Sequence, residues 1–109
     1  MDKRKGWKKM IVIVDIDDTI CEGDTYETAT PIRKNIDKIN ELYMEGHEVI
    51  YWTARGTLME GNWFHITHEQ LVDWGCLFHE LRMNKPVFDV FIDDKAINSQ
   101  HYFGIMEDE

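Results

Sequence analysis

Residues 11–20, IVIVDIDDTI, run four consecutive β-favouring apolar residues, Ile11 to Val14, straight into three carboxylates, Asp15, Asp17 and Asp18. A strand that is apolar at every position is expected to be covered on both faces, as in the middle of a parallel sheet with helices on each side. The acids then stand at its carboxyl end, the edge at which open α/β sheets bind ligands. Two carboxylates about 4 Å apart repel by on the order of 4 kcal/mol at an effective dielectric near 20, so such a site raises a pKa or recruits a cation. Mg²⁺ fits: it prefers oxygen, takes one or two carboxylates and keeps room for water and a phosphate oxygen. An acidic, solvated turn after a strand has the same D-x-D spelling, so acids further along the chain have to decide.

Working outward, residues 20–29 form a polar connection containing Gly23 and Asp24, long enough only for a small flap over the acids. Thr30 and Pro31 spell a helix start, with Thr as N-cap and Pro in the first turn. Ile32, Ile36, Ile39, Leu42 and Tyr43 recur at helical spacing as a core-facing stripe, and Gly46 supplies the stop. Residues 48–53, EVIYWT, repeat the opening logic: an apolar strand ending in a polar residue, which brings Thr53 to the same edge as Asp15. Its hydroxyl can donate to a phosphoryl oxygen, or bond locally as strand-terminal threonines commonly do. Arg55 can meet either a substrate or one of the many carboxylates, and its position favours the carboxylate.

Residues 56–66 make a loop rich in apolar side chains, Leu58, Met59, Trp63 and Phe64, which either lines a pocket or subunit interface or folds down over the core. His65 and His68 have no nearby cysteine partners and read as surface or helix-start residues. Thr67 with Gln70 spells a capping box for a short helix through Leu71 and Trp74, ended by Gly75. Residues 77–83 alternate as a third strand. Pro86 biases Lys85 toward an extended conformation in a loop. Residues 90–92, VFI, are expected to be a fourth strand, running into Asp93 and Asp94, and residues 101–106 an edge strand. Glu107, Asp108 and Glu109 read as a frayed tail.

With 109 residues and 43% apolar content the chain can build one core, so a single domain over residues 1–109 is expected. The net charge of −9 argues against a general binder of nucleic acid or anionic membrane. Lys3, Arg4, Lys5, Lys8 and Lys9 precede an apolar run that ends at Asp15, too short for a signal peptide, and no stretch of about 20 apolar residues exists to span a bilayer. A cytoplasmic protein with reduced cysteines, Cys21 and Cys76, is the expectation.

Strand ends at Asp15, Thr53 and Asp93, with Lys85 in a loop, would gather two acidic clusters, a hydroxyl and a cation at one edge of one parallel sheet, the composition of a phosphate and Mg²⁺ site. This ordered set resembles the haloacid dehalogenase superfamily of aspartate-nucleophile phosphatases, over residues 11–98. The first motif, D-x-D-x-T, falls on Asp15, Asp17 and Thr19; the second on Thr53; the third on Lys85; the fourth, hydrophobics followed by two acids, on Asp93 and Asp94. The strings YETATPI, YWTARG, HELRMNKP and FIDDKAIN also look like the small capsule-biosynthesis phosphatases of that superfamily.

The resemblance implies a three-layer α/β/α Rossmann-like fold with a central, mostly parallel sheet and no cap domain. It implies Asp15 as nucleophile forming an aspartyl-phosphate, and Asp17 as general acid and base. Thr53 and Lys85 would hold the phosphate, and Asp15, the backbone carbonyl of Asp17, Asp93 and Asp94 would hold Mg²⁺. Arg55, Trp63 and Phe64 are candidates for selecting the substrate. Many members carry Gly where this chain has Asp18, which is expected to point to solvent. A capless site implies either a large substrate or a neighbouring subunit of a homo-oligomer as lid. The substrate class is then a sugar phosphate or phosphorylated polysaccharide precursor, with a nucleotide or polynucleotide end as the alternative. Two readings from other classes are a non-catalytic metal or phosphate-binding module and a phosphoacceptor signalling domain. The second fits the residue order poorly, because a receiver places its acceptor aspartate where this chain has Thr53.

Overall fold

The computed structural model describes residues 6–57 and 61–104. Lys3, Arg4, Lys5, Leu58, Met59 and the acidic tail lie outside them. Its elements are β1 (Ile11–Val14), β2 (Cys21–Glu22), β3 (Thr30–Pro31), α1 (Arg33–Met44), β4 (Glu48–Trp52), α2 (Trp63–Asp73), β5 (Glu80–Arg82) and α3 (Ser99–Tyr102). β1, β4 and β5 form a parallel sheet in the order β1-β4-β5, with Val14 opposite Tyr51 and Ile50 opposite Glu80. β2 and β3 make a small antiparallel hairpin.

Side-chain alternation sorts the sheet into two faces. Val14, Val49 and Tyr51 point to one, where they pack with Ile36 and Ile39 of α1, Leu71 of α2, and Phe103 after α3. The apolar stripe of α1 therefore does what its spacing requires. Ile11 and Ile13 point to the other face and are exposed.

Two expectations are corrected here. β1 lies at the edge of the sheet and β4 occupies its centre, because residues 90–92 form no strand beside β1. The arrangement is also two-layered where three layers were expected: the core-forming residues of α1, α2 and the α3 end all gather on one face, and residues 83–98 supply no helix for the other.

Boundaries moved for local reasons. α1 begins at Arg33 because Thr30 and Pro31 are drawn into the hairpin opposite Glu22 and Cys21, so Thr30 caps no helix. α2 begins four residues before Thr67, capped by Asn62, whose Oδ1 accepts from the Phe64 N–H at 3.2 Å. β5 keeps only Glu80–Arg82 of the longer run expected. Of residues 101–106, those described belong to α3 and the turn after it, so no edge strand is found among them. Among the described residues no helix is long and apolar enough to cross a membrane.

Candidate active site

The parallel register carries the carboxyl ends of β1 and β4 to one level, so Asp15 follows Val14 and Thr53 follows Trp52 along the same edge. Lys85 is brought there by backbone. Its N–H donates to the Thr53 carbonyl at 2.9 Å, and its own carbonyl accepts from the Thr57 hydroxyl at 2.9 Å. Asn84, just before it, turns the chain through the left-handed region at φ 63. The Lys85 ammonium then reaches Asp15, with Nζ 3.6 Å from Oδ1. Burial holds the Asp15 carboxyl above its ordinary value of 3.8, an effect that Lys85 offsets in part.

Asp17, two residues beyond Asp15, meets Arg55. The guanidinium grips it with two bonds, Nε to Oδ2 at 3.0 Å and Nη2 to Oδ1 at 2.8 Å, a fork-to-fork geometry that fixes the carboxylate plane. Arg55 is fully buried and is itself held from α2, donating through Nη1 to Thr67 Oγ1 at 3.1 Å and to Gln70 Oε1 at 2.5 Å. Its guanidinium lies over the Tyr26 ring at 4.8 Å, and Gln70 donates to the Tyr26 carbonyl at 2.6 Å. Thr53 is fully buried, and its hydroxyl oxygen accepts from the Arg55 N–H at 3.1 Å.

Of the two options that position left to Arg55, pairing with a carboxylate is the one found. Trp63 packs edge-on against Tyr26 at 5.1 Å, while Phe64 is exposed and stacks on His68. Trp63 therefore helps to clamp the flap that carries Tyr26. Thr67 and Gln70, spelled like a capping box, are the anchors of Arg55 instead. The signal for this role was a polar pair three residues apart, Thr67 and Gln70, on the side of α2 that also carries the buried Leu71.

The flap itself is the β2–β3 hairpin, and with Asp17 and Asp18 its residues 22–27 line a shallow cleft. Asp18 is exposed, as expected, and sits at φ 63, the left-handed conformation for which glycine is better suited. Cys21 lies beneath Asp17, and burial together with that carboxylate pushes its thiol up to about 12. Cys76 is pushed up to about 11 by burial, so neither is poised as a nucleophile.

Asp93 and Asp94 form no metal-holding group with the acids of this edge among the described residues. Both are exposed, on a segment whose neighbours Val90, Phe91 and Ile92 are also exposed, and among the described residues no group of three or more His, Cys, Asp or Glu could hold one metal ion. Asp15 is thus gathered with Thr53, Lys85 and the Asp17–Arg55 pair, and among the described residues the expected fourth component completes no metal-holding group with them.

No family model and no curated protein sequence matches this chain. A solved structure does: a structural-genomics target from Vibrio cholerae, 22% identical, with a TM-score of 0.77 over 86% of this chain and 87% of that one. The likeness shows a shared α/β fold over nearly the whole length of both.

Proposed function

We propose that this chain is a phosphate monoester hydrolase working through an aspartyl-phosphate, in the manner of the haloacid dehalogenase superfamily. One observation carries the reading: an aspartate, a buried threonine and a lysine from three separate stretches of sequence meet at the carboxyl edge of one parallel sheet, with the lysine ammonium 3.6 Å from the aspartate. An Asp15 oxygen attacks phosphorus while the ester oxygen leaves and takes a proton; water then attacks the acyl phosphate, giving inorganic phosphate and returning the carboxylate. Lys85 sits where it neutralises charge on the transferring oxygens, and the Thr53 hydroxyl keeps a hydrogen to donate while its oxygen accepts from Arg55. Asp17, with one third of its side chain exposed, is the residue placed to exchange protons with the leaving oxygen, and Arg55 orients it.

Mg²⁺, expected from the resemblance, would supply charge neutralisation on the phosphoryl oxygens. Asp15 and the backbone carbonyl of Asp17 would hold it at this edge, and among the described residues no group of three or more His, Cys, Asp or Glu completes the shell. No step above depends on it. The open cleft suits a sugar phosphate or phosphorylated polysaccharide precursor better than a small metabolite that must be enclosed.

Phosphate release from nitrophenyl phosphate tests the reading. Turnover by the wild type that falls by on the order of 10⁴-fold in Asp15→Asn supports it. Binding of phosphate without turnover would favour the non-catalytic phosphate-binding module instead.

A further inference from the structure

The displaced acids and the bare sheet edge belong to one problem. Among the described residues β1 pairs only with β4, leaving its outer edge unpaired, and Ile11 and Ile13 are 66% and 51% exposed. Residues 90–92 have the composition of a buried strand, yet Val90, Phe91 and Ile92 are 71%, 53% and 93% exposed. An open edge and an apolar strand-forming segment in the same chain are the two halves of a β-pairing.

The chain is too short to join them within one copy. For Asp93 to lie beside Asp15, Val90 must lie beside Val12, which is level with Val49, four residues below Thr53, where the Lys85 N–H is fixed. Lys85 stands on the β5 side of β4, because the Thr53 N–H and carbonyl both face that way, so from there to the far side of β1 is three strand spacings, about 14 Å across, and four residues, about 13 Å down. The straight line, about 19 Å, passes through the sheet, and a detour over either face lengthens it further. Five Cα steps from Lys85 to Val90 span at most about 18 Å. Parallel neighbours ordinarily need a crossover of about a dozen residues, and residues 86–89 supply four.

We propose that residues 90–94 of one copy add as a parallel strand to the outer edge of β1 in a second copy, reciprocally, so that Asp93 of each chain joins Asp15 of the other. Residues 86–98 are tied to their own body at both ends, by Lys85 on Thr53 and by Phe103 in the core with the Lys38 ammonium on the Tyr102 carbonyl at 2.7 Å. Such an arm can reach about 20 Å outward. In the register that aligns Asp93 with Asp15, Phe91 flanks the exposed Ile13 and Ile92 flanks Val14 at the margin of the core, so the exposed apolar side chains of the arm gain apolar neighbours. The occupant is a second copy because this chain itself carries the acid that its own site lacks. Asp93 of one chain then joins Asp15 of the other, a pair of carboxylates of the kind Mg²⁺ takes, and in this respect the proposal rests on the phosphatase reading.

Cross-linking tests it without reference to activity. Directly paired residues in adjacent strands have Cα atoms about 5 Å apart, inside the range a disulfide bridges. A chain carrying Ile13→Cys and Phe91→Cys, oxidised at low concentration, is expected to run as a covalent dimer on a non-reducing gel, while the wild type, with both natural cysteines buried, stays monomeric. A cross-link within one chain, or thiols left unlinked, would overturn strand exchange. A second arm co-expresses Asp15→Asn with Asp93→Asn, each inactive alone. A random mixture contains half mixed pairs, each with one intact site, so about one quarter of wild-type turnover should return. Cross-linked dimers together with an inactive wild type would leave strand exchange standing and sink the phosphatase reading. An active wild type with no complementation and no cross-link would do the reverse.

Discussion

Asp15 illustrates how a reactive residue works against the fold that holds it. Its folded pKa lies above its ordinary value because burial disfavours the anion. Between the unfolded and folded pKa values the native state holds the extra proton, so this contribution to stability falls as pH rises through that window and remains unfavourable above it. Asn does not titrate. Asp15→Asn should therefore melt above the wild type at pH 7, and the gap should close as the pH drops below 3.8, where both states of the wild type are protonated. Thermal melts across that range, beside the loss of turnover, test whether one residue carries both effects. Removing Asp17 has a different consequence, through its ion pair with Arg55. Asp17→Ala would leave the fully buried Arg55 without its charge partner, at a cost of about 3 kcal/mol by urea denaturation, whereas Asp17→Asn keeps an oxygen for the guanidinium and costs less. Asp18→Gly relieves a left-handed backbone and should raise the unfolding free energy by up to about 1 kcal/mol, read as a higher urea midpoint at unchanged slope.

At the scale of elements, the sequence was most legible where periodicity was long and least legible where pairing was decided at a distance. The α1 stripe and the 48–53 strand lie where their spacing puts them, and so does the gathering of Asp15, Thr53 and Lys85 at one edge, because parallel strands of similar length must end together. The start of α1 was misplaced because Thr30 and Pro31 satisfy two local patterns at once, and the hairpin with Cys21 and Glu22, which no helix rule registers, takes them. The helix N-cap was likewise assigned to Thr67, when Asn62 performs it and Thr67 serves Arg55. These assignments separate experimentally. Asn62→Ala should cost about 1 kcal/mol, the usual worth of an N-cap, without altering nitrophenyl phosphate turnover. Thr67→Val removes a bond to the guanidinium that orients Asp17, so kcat should fall at little change in KM. Equal kinetic effects from the two would show that α2 acts on the site only through its stability.

For the whole molecule, the failure of the expected fourth strand has one physical source: apolar composition specifies that a strand will be buried and leaves open against which chain. Lysines at positions 90 and 92 distinguish the alternatives through mass action. In a solitary copy both side chains face water, and Val90→Lys with Ile92→Lys should shift stability by no more than about 0.5 kcal/mol at each site. In an exchanged pair they would stand between two sheets' worth of apolar surface and prevent association. Anything that binds the native state but not the unfolded one makes the melting temperature depend on its concentration, and here the binding partner is the protein itself. A hundredfold change in partner concentration is worth about 2.7 kcal/mol. The wild type should accordingly melt several degrees higher across a roughly hundredfold increase in protein concentration, a shift consistent with the stability of a domain of this length. The double lysine variant should melt at one temperature throughout, at or below the lowest value of the wild type. Identical, concentration-independent melts for the two proteins would mean that residues 90–92 remain in water, and that Asp93 reaches no site in either chain.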